Sequence, residues 1–108
     1  MALSSVTEVF QRMPEVFSAT AAKGLDAVFQ FDIQGEGGGA WNVTVRDGAC
    51  AVDEGTHNDP RVTITMNAEN WLALVNRQLN GVQAFMTGKL KVSGDLMLAQ
   101  RIYEIFPF

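Results

Sequence analysis

The spacing of apolar residues changes along the chain, and each change marks an element. From residue 6 they recur at helical intervals, as Val6, Val9, Phe10, Met13 and Phe17, which places them on one helix face. Ser4 or Ser5 precedes that run as its cap, and Glu8 follows Ser5 by three positions as in a capping box. Pro14 lacks an N–H and crowds the preceding turn, so it predicts two short helices, the second ending at Lys23-Gly24. From Asp26 the period falls to two. Phe29, Phe31 and Ile33 alternate with Gln30, Asp32 and Gln34, which predicts a strand with one buried and one wet face. A turn over 35–39 leads to Trp41, Val43 and Val45, alternating with Asn42, Thr44 and Arg46, and Asp47-Gly48 signals a hairpin into a third strand over 49–53. After a polar loop over 54–60, Val62, Ile64 and Met66 alternate with Thr63 and Thr65 as a fourth strand.

The helical period then returns. Asn67 caps a helix running to about residue 77, with Trp71, Leu72, Leu74 and Val75 on its apolar side, and Asn80-Gly81 breaks it before a short helix ending at Gly88. Leu90 and Val92 form a last strand. Gly94-Asp95 turns into a C-terminal helix whose Leu96, Leu98, Ala99, Ile102, Tyr103, Ile105 and Phe106 give a broad apolar surface. The pattern predicts one α+β domain over residues 1–108: a five-stranded, mostly antiparallel sheet with about five helices on one face.

Composition narrows the function. Twelve acidic residues against eight basic ones give a net charge of -4, which disfavours nucleic acid as a partner. A single cysteine, Cys50, excludes an internal disulfide and fits a reducing compartment, so a cytoplasmic location is expected; no secretory leader or membrane-length apolar run is seen. Cys50, His57, Asp53 and Glu54 are the one grouping that suggests a nucleophile with a base, but a strand cysteine and a loop histidine read as structural. One histidine and one cysteine make a poor metal site, and the glycines at 35 and 37–39 join two strands with no helix after them, so they are no phosphate cradle. No cofactor and no catalytic residue is expected. Five methionines, seven phenylalanines and two tryptophans instead supply large, partly adaptable apolar side chains.

The segment Phe85-Met86-Thr87-Gly88-Lys89-Leu90-Lys91-Val92-Ser93-Gly94-Asp95, followed by Leu98-Ala99, is similar to the Gly-Lys-x-x-x-x-Gly-Asp segment of the sterol carrier protein 2 (SCP-2-like) lipid-transfer family. Trp41 with Val43 and Val45, Asp47-Gly48, and the run from Asp59-Pro60 to Met66 match the same pattern, and the resemblance spans essentially the whole chain. It looks like a compact prokaryotic-type member. The resemblance implies an apolar tunnel between sheet and helices that takes fatty acid, fatty acyl-CoA, phospholipid or sterol without covalent chemistry. By side-chain parity its lining would be Phe31, Ile33, Trp41, Val43, Ile64, Met66, Trp71, Leu74, Phe85, Met86, Leu90, Met97 and Ile102, with Lys89, Lys91 and Arg101 as head-group contacts at its mouth.

The expected function is therefore lipid binding and intracellular transfer, with a lipid or fatty acyl ligand, transient membrane contact, a monomeric or homodimeric state, and the C-terminal helix as a lid. The competing reading is an accessory module of the same fold with a closed core, docking to an enzyme or to itself. A catalytic role on acyl-CoA or a sulfate ester would need groups from a partner chain. Cavity volume separates the first two, since a site of several hundred Å³ suits a carrier and a collapsed core suits a module.

Overall fold

The computed structural model describes residues 3–108. Helix α1 (Val6–Val16) starts at Ser5, whose hydroxyl accepts from the Glu8 N–H at 3.1 Å while the Glu8 carboxylate accepts from the Ser4 N–H at 2.8 Å. Val6, Val9, Phe10 and Met13 are buried, as the spacing predicted. The predicted second helix after Pro14 is corrected. α1 runs through Pro14, which lies on its exposed side in the last turn, and residues 19–24 form turns instead. A proline so near the helix end removes one ladder bond without having to break a long segment.

Strands β1 (Ala27–Gln34), β2 (Gly39–Arg46), β3 (Ala49–Glu54), β4 (Val62–Asn67) and β5 (Lys91–Gly94) form one sheet in the order β3-β2-β1-β4-β5. The β1–β4 pair is parallel and the other three are antiparallel. The register puts Phe29 between Val43 and Val62, and Phe31 between Trp41 and Ile64, so the apolar side chains share one face. All five helices complete the α+β architecture: α1, α2 (Ala68–Val75), α3 (Gly81–Met86), α4 (Leu96–Gln100) and α5 (Ile102–Ile105). The single C-terminal helix of the sequence reading is two short helices meeting at Arg101, and Leu90 stands just before β5.

The opposite face of the sheet is less wet than its polar residues suggest. To reach β4 from β3, the chain crosses β2 and β1 on that face and buries Gln30 and Asn42 beneath it. Gln30 accepts from the His57 N–H at 2.8 Å, and both amides donate to the Gly55 carbonyl, at 3.3 Å from Gln30 and 3.2 Å from Asn42. Buried polar side chains are tolerated when paired in this way. Gln30 is thus a loop anchor.

On the apolar face, packing is uneven. Phe10 stacks on Trp41 at 4.9 Å and on Trp71 at 5.7 Å and meets Phe31 edge-on at 5.4 Å, filling the space under α1. Phe106 closes the middle against Phe29 and Phe17. Under α3, α4 and α5 no comparable aromatic cluster appears among the described residues, and the layer stays open there.

Candidate functional site: an apolar pocket beside a polar groove

The open region is a pocket of about 410 Å³. Ile64 and Val92, paired across β4 and β5, form its floor. Trp71, Leu74 and Val75 of α2, Val82 and Phe85 of α3, and Leu90, Leu96, Ala99, Ile102, Tyr103 and Phe108 form its walls, with Asn80, Gly81 and Gln100 as the remaining lining. Local sequence keeps α3 away from the sheet. Asn80 caps this six-residue helix by accepting from the N–H groups of Val82 at 2.9 Å and Gln83 at 3.2 Å, and Ala84 is its one buried residue. A helix anchored through an alanine leaves more room beneath it than one anchored through a leucine.

Val82 is 69% exposed, Phe85 47% and Leu96 49%, although all three line the pocket. They form a greasy rim, and Met86 and Met97 extend it outside the lining. Trp71 is buried in the wall, and its indole N–H has no partner among the described residues.

A second, more polar cavity of about 410 Å³ lies alongside, lined by Arg77, Gln78, Leu79, Asn80, Gly81, Gln83 and Tyr103. The two cavities share Asn80, Gly81 and Tyr103. The Tyr103 hydroxyl donates to the Leu74 carbonyl, and the Arg77 guanidinium carbon sits 4.7 Å from the centre of the Tyr103 ring. Burial pushes the Tyr103 phenol above its ordinary value, and Arg77 beside it pulls the other way.

Of the thirteen lining residues expected from sequence, Ile64, Trp71, Leu74, Phe85, Leu90 and Ile102 come together at this pocket. Phe31, Ile33, Val43 and Met66 point to the same side of the sheet but are buried in the solid core, and Trp41 is taken up by Phe10. Parity gave their face correctly but could not show that α1 covers it. Met86 and Met97 sit outside, 79% and 78% exposed.

The three head-group candidates also separate from the lining. Lys89 is exposed on the α3–β5 connection and Lys91 at the start of β5, and Arg101 reaches across to donate to the Ala21 carbonyl at 2.7 Å. Sequence reasoning missed Val75, Asn80, Gly81, Val82, Val92, Leu96, Ala99, Gln100, Tyr103 and Phe108. Val92 was accessible in principle, since it shares the parity of Leu90, whereas the polar members carry no periodic signal.

The expected lid is a structural wedge as well. Ile102, Tyr103 and Phe108 face the pocket while Ile105 and Phe106 are fully buried, so deleting residues 102–108 would remove core together with wall. Cys50 lies on the helix-facing side of β3 opposite Val45, and His57 lies in the loop over the other face, where its Nδ1 accepts from the Asp59 N–H. The sheet separates them. Among the described residues no cluster of three or more histidine, cysteine or carboxylate side chains is placed to hold a metal, and no helix is long and apolar enough to cross a membrane.

Comparisons with known proteins agree with this geometry. Residues 7–107 match the SCP-2 sterol transfer family. A hydroxysteroid dehydrogenase-like protein 2 from Rattus norvegicus is 29% identical over 102 residues, covering 94% of this chain and 20% of its own length. The chain therefore spans about a fifth of that relative. Among solved structures, palmitated sterol carrier protein 2-like 2 from Aedes aegypti superimposes with a TM-score of 0.77 at 29% identity, over 97% of this chain and 96% of its own. A stereoselective inverting sec-alkylsulfatase from Pseudomonas sp. shares the fold, with a TM-score of 0.81 at 17% identity over 92% of this chain and 16% of the larger one.

Proposed function

This chain belongs to the SCP-2 sterol transfer family, and from that premise we propose that it is a non-catalytic lipid carrier that holds an acyl chain in the pocket between α2, α3, α4 and β5. The observation that carries this reading is the pocket itself: about 410 Å³, walled almost wholly by aliphatic and aromatic side chains. A site of that size and lining suits a small apolar ligand. Each methylene buried there contributes about 0.8 kcal/mol before ordering costs, so contact alone gives useful affinity. The palmitated state of the Aedes aegypti relative favours the same ligand class. An open pocket argues against the closed-core accessory module. We further propose that loading and release occur in transient contact with a membrane through the exposed rim of α3 and α4, in a cytoplasmic setting that suits one unpaired cysteine.

The test is uptake of a fatty acid by delipidated protein, read by native mass spectrometry and calorimetry. Ala99 lies on the wall and is only partly buried, so Ala99→Phe fills the pocket with little cost to the core. Wild type should take up one acyl chain per protein and Ala99→Phe should lose at least tenfold in affinity. Equal uptake by both would remove the pocket as the site.

A further inference from the structure

Building on the carrier reading, we propose that the polar groove is the head-group subsite and that Arg77 is its anion contact, so that the protein selects single-chain amphiphiles with an anionic head. The two cavities meet at Asn80, Gly81 and Tyr103, one nearly all apolar and the other lined by Arg77, Gln78, Asn80 and Gln83. A molecule that fills both must be apolar at one end and polar at the other. Gly81 borders both cavities, and a Cβ there would already stand in contact with Leu74 Cδ1 at 3.6 Å.

Arg77 is held in place for this role. Its backbone takes the left-handed conformation, φ +59°, at the end of α2, with its N–H on the Leu74 carbonyl at 3.1 Å. Non-glycine residues take that conformation at a cost and are held there by their surroundings. The guanidinium lies over Tyr103, and its Nε donates to the main-chain oxygen of Phe108 at 2.9 Å. Its two terminal amino groups make no hydrogen bond among the described residues, and no carboxylate side chain pairs with it. Residues 70–94 contain Arg77, Lys89 and Lys91 and no Asp or Glu at all. A planar cation fixed through one edge, with its other donors free, matches a carboxylate or a related anion.

Size limits the tail. At about 410 Å³ the apolar pocket has room for one acyl chain.

The experiment compares myristate with 1-tetradecanol, each below its aggregation concentration, on delipidated wild type, Arg77→Asn and Arg77→Lys. Asparagine tolerates the left-handed backbone, so the turn is kept, and thermal unfolding of each variant checks the fold. Wild type should bind the acid roughly tenfold more tightly than the alcohol, as a charge-assisted hydrogen bond provides. Arg77→Asn should abolish that preference, bringing the affinity for the acid down to that for the alcohol measured on the same variant, and Arg77→Lys should keep part of it. A wild type with no preference, or a preference that survives in Arg77→Asn, overturns the head-group site and leaves the carrier reading standing. Failure of wild type to bind either compound overturns both.

Discussion

At the scale of single residues, Tyr103 joins fold and site in one side chain. Its hydroxyl donates to the Leu74 carbonyl, its ring lines both cavities, and Arg77 lies over it. Burial raises its phenol above the ordinary 10.0, with Arg77 partly offsetting the rise. Below about pH 10 both folded and unfolded chains keep the proton and the stabilisation is complete. As the pH climbs further the unfolded chain ionises first, so stability falls until the folded form ionises too. A phenolate also has no proton to give Leu74. We expect Tyr103→Phe to cost about 1 kcal/mol at pH 7, from the lost hydrogen bond to a carbonyl that keeps only the Arg77 N–H, and to flatten the loss of stability above pH 10. Urea unfolding between pH 7 and 11 reads this out, in a Cys50→Ala background because burial raises that thiol from 9.0 as well. Parallel pH slopes for the two proteins would show that Tyr103 is not the titrating group.

At the scale of elements, the junction between β5 and α4 shows how a short motif fixes a backbone. Gly94 pairs with Val62 and takes φ +97°, and a Cβ there would fall 2.5 Å from the Arg61 carbonyl oxygen. Asp95 follows at once, its side chain capping α4 through the Leu98 N–H at 3.0 Å. Gly88 also has a positive φ, +80°, but open space around it. Gly94→Ala should therefore destabilise by about 2–3 kcal/mol and Gly88→Ala by about 1 kcal/mol, the difference being the clash beyond backbone strain. Differential scanning calorimetry of the pair decides it, and equal losses would mean that the close approach relaxes cheaply. Elements of this kind were legible in the sequence because the local rule and the tertiary contact agree: glycine before a capping aspartate, asparagine at residues 67 and 80, alternation in four strands. They were misread where an end effect decides. Pro14 sits in the last turn of α1 and not in mid-helix, and the C-terminal apolar run bends at Arg101, which bonds to the distant Ala21. The pocket was half legible for the same reason: periodicity reports which face a residue occupies, while the presence of α1 over Phe31 and Val43, or of an open pocket over Ile64 and Val92, depends on which helix arrives there.

At the scale of the whole molecule, charge and greasiness are distributed together. Three of the eight basic residues fall in residues 70–94 with no acid among them, so the remaining chain carries all twelve acids against five bases. The positive segment includes α3 and its flanks, beside the exposed Val82, Phe85 and Met86, with Leu96 and Met97 of α4 across the pocket mouth. An anionic bilayer would attract this side through Lys89 and Lys91, repel the rest, and so meet the pocket mouth first. Met86 and Met97 separate delivery from binding because neither lines the pocket. Replacing both with glutamate places two charges where the contact is proposed and leaves the acyl site untouched. Met86→Glu with Met97→Glu should slow transfer of a fluorescent fatty acid to phosphatidylserine-containing vesicles by at least fivefold at unchanged solution affinity. Raising the salt concentration should slow the wild type toward the variant, because exposed charges act across about 10 Å at 0.1 M salt. Transfer that is indifferent to both the substitutions and the salt would mean that the ligand leaves through water, with the rim serving another contact.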